Sequence, residues 1–288
     1  MDIRRGIVAV AIVGMLVSMV EAQSEGGRRV VGFNGDWRFA KGDQSGAEKP
    51  GFDDSAWQAV RLPHDWAISG PFNASENGYA GKLPWKGEGW YRKTFTLDPV
   101  APPPSGVNPS QPGAAGPRVY FDFDGVMAFP KVYVNGQLAG QWDYGYMSFR
   151  VDATDYVKFG ETNTIAVHAD TRNHGTRWYP GAGIYRKVTM TICNPVHVAH
   201  WGVFVTTPED RDAEATVRVR STIENHLDTE APVTLATALF EPDGKPVASG
   251  GKTEAVPGRG SREIEQSFVI ADPKRWDIAS PRTEGAER

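Results

Sequence analysis

The stretch RVYFDFDG, residues 118–125, alternates apolar and polar side chains. In an extended backbone, successive side chains point to opposite faces. Val119, Phe121 and Phe123 therefore share one side, and Tyr120, Asp122 and Asp124 the other. The same period of two recurs in NTIAVHAD (163–170) and YRKVTMTI (185–192). KVYVNGQLAGQW (131–142) adds a hairpin signal, because Asn135-Gly136 tolerates the positive φ angles of a type I′ turn. No long stretch of helical period follows residue 22. These patterns confine the chain to an all-β fold.

A second block of short strands begins near Pro195, with VHVAHWGVFVTT, ATVRVRSTIEN, VTLATALFEPDGKPVAS and REIEQSFVI separated by turn signals. Asp243-Gly244 marks another tight hairpin. Regular short strands of this kind suggest an immunoglobulin-like β-sandwich. Between the strand patterns of the first block lies DPVAPPPSGVNPSQPGAAGP (98–117). Its prolines and glycines forbid a central strand, and it reads as a solvated loop within the first domain. At the N-terminus, MDIRR precedes the apolar run GIVAVAIVGMLVSMV, too short for a typical membrane span. Val20 and Ala22 occupy the small-residue positions of a cleavage site. The expectation is a secretory signal over residues 1–22, cut after Ala22, and a secreted or periplasmic product with no membrane contact after cleavage.

Cys193 is the only cysteine, so no intrachain disulfide is possible and the thiol reads as buried and inert. The net charge of −4, with no basic stripe, argues against a nucleic-acid partner. Seven tryptophans, at 37, 57, 66, 85, 90, 142 and 178, precede residue 195. Core packing explains most such residues, and stacking on sugar rings is the rival role.

Five stretches taken together are similar to the N-terminal region of glycoside hydrolase family two, the family of β-galactosidases, β-mannosidases and β-glucuronidases. They are FNGDWRFA, FDDSAWQAVRLPHDW, GEGWYRKTF, the run from FDGVMAFPKVYVNG to NTIAVHAD, and TRWYPGAGIYRKV. They stand in family order, and their wording most resembles the β-galactosidase branch. The resemblance implies a jelly-roll sugar-binding domain over 28–194 and an immunoglobulin-like domain over 195–288. It also implies a catalytic (β/α)8 barrel carrying two glutamates, which would need roughly 250 further residues. RWDIASPR is family-like and should lead into a closing strand, whereas TEGAER follows, polar and strandless. The expectation is a truncated product whose second sandwich exposes an edge, with the first domain the better protected in hydrogen exchange.

A retaining glycosidase needs two carboxyl groups about 5–5.5 Å apart. Asp53 and Asp54 point to opposite faces if extended. Asp122 and Asp124 share a face, but a solvated face is their plainer role. No catalytic residue is assigned. His197 and His200, three apart on a strand, face opposite sides with no third ligand evident, so no metal and no cofactor is expected. His64-Asp65 lacks a placed nucleophile, and the resemblance makes PHDW a loop tied down by Asp65 and Trp66. Asn73, in NAS, fits a glycosylation acceptor in a eukaryotic secretory path.

The substrate-binding candidates are Arg177, Trp178 and Tyr179. The resemblance implies that their loop projects toward the barrel's active-site mouth. Arg177 would donate a fork of hydrogen bonds to sugar hydroxyls, and Trp178 or Tyr179 would offer an apolar face. A purely structural Arg177 weighs equally, and Arg186 is expected to pair with a buried carboxylate. The leading reading is the non-catalytic N-terminal portion of an exported β-galactosidase-like hydrolase, inactive alone, with at most weak affinity for a β-galactoside-like carbohydrate and a barrel that is missing or separate. The alternatives are a free-standing carbohydrate-binding module and a structural or adhesive sandwich protein.

Overall fold

An alternating strand can bury its apolar face only by pairing with neighbours and packing against a second sheet. A computed structural model of the chain shows this arrangement twice. It describes residues 9–11, 27–98, 116–211 and 213–275. These divide into two units, one of residues 28–98 and 116–193, the other of 9–11, 27, 194–211 and 213–275. None of the described residues is α-helical, and none of the described helical segments is long and apolar enough to cross a membrane.

In chain order the strands are β1 (Ala9–Ala11), β2 (Arg28–Gly32), β3 (Trp37–Lys41), β4 (Gln58–Val60), β5 (Glu88–Thr96), β6 (Arg118–Phe123), β7 (Lys131–Val134), β8 (Gln137–Gln141), β9 (Phe149–Asp152), β10 (Thr162–Asp170) and β11 (Val188–Cys193). Apart from β1, these build the first unit. One antiparallel sheet runs β4-β3-β5-β10-β7-β8, and the facing sheet runs β2-β11-β6-β9. Val119, Phe121 and Phe123 point into the core between them, with Trp37, Tyr91, Val132, Ile165 and Val167 from the other sheet. Asn135 and Gly136 both carry positive φ in the β7–β8 turn. Cys193 is buried in β11. The outer face of the larger sheet is not bare. Trp90 and Ala166 pack there under Ala47 and Trp57, brought over by the segment between β3 and β4. Loop residues 99–115 and most of the expected signal, including its cleavage point at Ala22, lie outside the described residues.

The second unit adds β12 (Val196–Arg211), β13 (Glu214–Asn225), β14 (Ala231–Phe240), β15 (Pro246–Val256) and β16 (Gly260–Ala271). One sheet is β12-β13-β16 and the other β1-β14-β15. Strand β13 buries every second residue, and Val217, Val219 and Ile223 meet Leu235 and Leu239 of β14. Gln266 crosses the core polar: it accepts from Thr237 Oγ1 at 2.5 Å and donates to the Gly250 carbonyl at 3.2 Å.

The two central strands of this unit differ in how their backbones are satisfied. Strand β13 is paired on both sides along its length, by β12 and β16. Strand β14 is paired with β15 throughout, but among the described residues its other edge meets a partner only at Ala238–Phe240, opposite β1. Unpaired edge amides are open to water and to other strands. Amides on the open edge of residues 231–237 are therefore expected to exchange orders of magnitude faster than those of 214–225. Equal protection of the two segments in hydrogen-exchange mass spectrometry would contradict this.

Candidate functional site

The segment 176–186 leaves β10 through a turn and must re-enter the fold before β11. Its second half is buried, from Pro180 to Ile184. Two flanking segments hold it by backbone hydrogen bonds. His64 N–H donates to the Ile184 carbonyl at 2.8 Å and Trp66 N–H to Ala182 at 3.2 Å. On the other side, Gly183 and Met127 exchange both bonds, at 2.7 and 2.9 Å. The PHDW segment is thus a strut of the loop. His64 Nδ1 lies 2.8 Å from the Tyr91 hydroxyl, and Asp65 accepts from the Tyr179 hydroxyl at 2.7 and 2.8 Å. Burial pushes the His64 imidazole below its ordinary pKa against the pull of Asp65. Burial and the Asp65 carboxylate push the Tyr179 phenol far up, so it stays protonated and donates.

The three sequence-selected residues end in different places. Tyr179 is half-buried and committed to Asp65, packing with Trp66 on the small cluster of Ala67, Ala80, Trp85 and Ala182. Arg177 is exposed, and among the described residues it makes no side-chain hydrogen bond or ion pair. Trp178 is 58% exposed. Its indole Nε1 donates to the Tyr146 hydroxyl at 2.7 Å, which fixes the ring's orientation while leaving much of it in solvent. Arg186 departs from expectation. It is exposed, and no carboxylate pairs with it among the described residues; its stem instead lies over Gly125 beside Tyr185.

Around Trp178 the fold assembles more aromatics than the sequence singled out. Tyr146 lies 6.4 Å from Trp178 and 5.7 Å from Tyr144, centroid to centroid. His174 bridges Tyr146, Phe129 and Trp85. Tyr144 is 54% exposed, and Trp142 and Phe129 are also open to solvent. The signal was present in WDYGYMSF, where aromatics flank a glycine. That glycine, Gly145, is pressed against Met127, where an added Cβ would come within 2.6 Å of the Met127 Sδ. The other five tryptophans before residue 195 lie in or against the packed clusters. An exposed row of rings beside an uncommitted guanidinium suits a neutral ligand with apolar ring faces and many hydroxyls.

Three of the four acidic residues weighed for acid–base chemistry, Asp53, Asp54 and Asp122, have structural partners. Asp53 caps the Ser55 N–H at 3.0 Å. Asp54 pairs with buried Arg92 at 2.8 Å, and Asp122 receives a two-bond fork from Arg150 at 2.6 and 2.8 Å. Asp54 and Asp122 lie on the outer faces of the two sheets, each committed to an arginine, and are not the facing pair of free carboxyl groups that glycoside hydrolysis needs.

The profile of Glycosyl hydrolases family 2 matches residues 196–283. A β-galactosidase, BoGH2A of Bacteroides ovatus, is 39% identical over 258 residues, covering 86% of this chain and 28% of that protein. A β-glucuronidase of Formosa agariphila is 27% identical, covering 88% of this chain and 27% of its own length. The crystal structure of a family 2 member from Bacteroides cellulosilyticus superposes with a TM-score of 0.78 at 32% identity, over 88% of this chain and 32% of that one. The chain thus spans about a third or less of the length of these relatives.

Proposed function

We propose, from the premise that this chain belongs to glycosyl hydrolase family 2, that its two sandwiches are the non-catalytic N-terminal portion of an exported, β-galactosidase-like glycosidase. In this reading the Arg177–Trp178 loop forms a rim of the sugar site, and a (β/α)8 barrel outside these residues supplies the two carboxyl groups. The observation that carries it is the rim: Arg177 has no partner among the described residues, and Trp178 and Tyr144, joined through Tyr146, leave ring surface in solvent. Exposing this much aromatic surface costs solvation unless a ligand covers it. The structural partners of Asp54 and Asp122 support the non-catalytic half of the reading.

The β-galactoside side of the assignment rests on the greater identity to the β-galactosidase of Bacteroides ovatus than to the β-glucuronidase. Titration of the purified chain with galactose and β-galactosides is expected to give weak, saturable binding that Arg177→Ala abolishes. Glucuronides should bind no better. A chromogenic β-galactoside should be hydrolysed only at background. Turnover above background would overturn the non-catalytic reading, and galactoside binding unchanged in Arg177→Ala and Trp178→Ala would remove the loop from the sugar site.

A further inference from the structure

We propose that His197, Glu224 and His226 form a binding site for a divalent cation of the zinc class in the second unit, independent of the sugar rim. The sequence alone pairs His197 with His200 and finds no third ligand. The fold separates them: His200 stacks on Trp201 with 4.5 Å between ring centroids. Strand register supplies other partners. His197 of β12 sits directly opposite Glu224 of β13. His226 comes two residues after Glu224, and the His226 N–H bond to the Pro195 carbonyl, 3.0 Å, carries the pairing past the end of β13. Residues i and i+2 of one strand share a face with the residue opposite, so the three side chains converge.

Their spacing fits coordination better than direct hydrogen bonding. His197 Nε2 and His226 Nε2 lie 3.5 and 3.4 Å from the same oxygen, Glu224 Oε2, and the three ligand atoms fall within 4.8 Å of one another. A charge-assisted hydrogen bond would draw N and O to about 2.7–2.9 Å. Ligands about 2.0–2.2 Å from a tetrahedral ion stand about 3.4 Å apart. The donor set of two imidazoles and a carboxylate suits zinc and its neighbours, and leaves a position for water. His197 is prepared as a ligand. Its Nδ1 donates to the Asn194 carbonyl at 2.7 Å, which places the proton there and leaves the Nε2 lone pair facing the cluster. The imidazoles of His197 and His226 are parallel, 8° apart in plane. His197 is only 5% exposed, whereas Glu224 and His226 reach solvent and leave an entry path. An ion here would tie β12 to the turn after β13 in a unit that has no cysteine pair to cross-link it.

The test uses the untagged chain after chelator treatment, with zinc chloride as the probe. One equivalent of zinc is expected to bind by calorimetry and to raise the unfolding midpoint of the second unit. His226→Ala and Glu224→Gln alter partly exposed side chains, so both variants should fold and lose at least about tenfold in affinity. Cobalt substituted for zinc should give visible d–d bands that both variants lose. A chain that takes up no zinc, or variants that bind it as tightly as the parent, would overturn the site.

Discussion

Arg92→Met is expected to lower the stability of the first unit by about 3 kcal/mol, the lower end of the cost of breaking a buried ion pair from one side, because Asp54 keeps 26% of its side chain exposed. Arg92 is 1% exposed, in the middle of β5. Its Nε donates to Asp54 Oδ2 at 2.8 Å. Its two terminal nitrogens donate to the carbonyls of Ala47, Lys49, Pro50 and Phe52. One guanidinium thus closes the whole segment that covers Trp90 and Ala166. Methionine would fill much of the volume but donate nothing, leaving a partly buried carboxylate and four carbonyls without their shared donor. Lysine should rescue only in part, since a point charge on a flexible stem cannot reproduce a planar fork aimed at five acceptors. The midpoint of thermal unfolding should drop on the order of 10 °C for Arg92→Met, and tryptophan emission should shift to the red as Trp57 and Trp90 are uncovered. A drop of less than about 1 kcal/mol would mean that the segment is held by its apolar contacts and not by the arginine.

That role shows where reading the sequence stops. The strands were legible because alternation is a local property. Val119, Phe121 and Phe123 had to share a face, and Asn135-Gly136 had to turn. The burial of Arg92 follows from a loop 38–45 residues earlier folding back over the sheet. Nothing in YRKTF distinguishes a buried arginine from a solvated one. The candidate site was legible to the same degree. RWYPGAGIYR announced a turn and an aromatic surface, but Tyr179 belongs to the structure through Asp65, more than a hundred residues away in sequence. Tyr144 and Tyr146 join Trp178 only because the loop after β8 comes back beside it. The metal ligands illustrate the point from the other side. His197 and His200 are close in sequence and separate in space, while His197 and Glu224 meet because strand register places them opposite one another.

The glycines of the candidate loop make the second large expectation. Gly183→Ala is expected to destabilise the first unit by about 3 kcal/mol or more and to abolish whatever ligand binding the rim provides. Gly183 sits at φ +96°, outside the range open to a residue with a Cβ, which by itself costs about 1–3 kcal/mol. A methyl group there would lie 2.0 Å from the Tyr91 hydroxyl oxygen and 3.1 Å from Trp66 Cε3. Neither neighbour can retreat easily. Tyr91 is wholly buried, with its hydroxyl against His64, and Trp66 stacks on Phe39 at 5.8 Å. Overpacking of this kind adds about 1–3 kcal/mol. Relief requires the loop to move outward, and that breaks the paired bonds between Gly183 and Met127. Arg177 and Trp178 would move with it, so a variant that still folds should lose galactoside binding together with its stability. Gly175→Ala is the matched control, in the same loop with nothing within 4 Å of the added carbon, and should change stability by less than about 0.5 kcal/mol. Differential scanning calorimetry on the two variants checks the first half, and the sugar titration the second. Equal stability of the two would show that the loop is not clamped where His64, Met127 and Tyr91 meet it. A Gly183→Ala chain that binds galactosides like the parent would show that the rim takes its shape from Tyr146 and His174 rather than from the turn behind it.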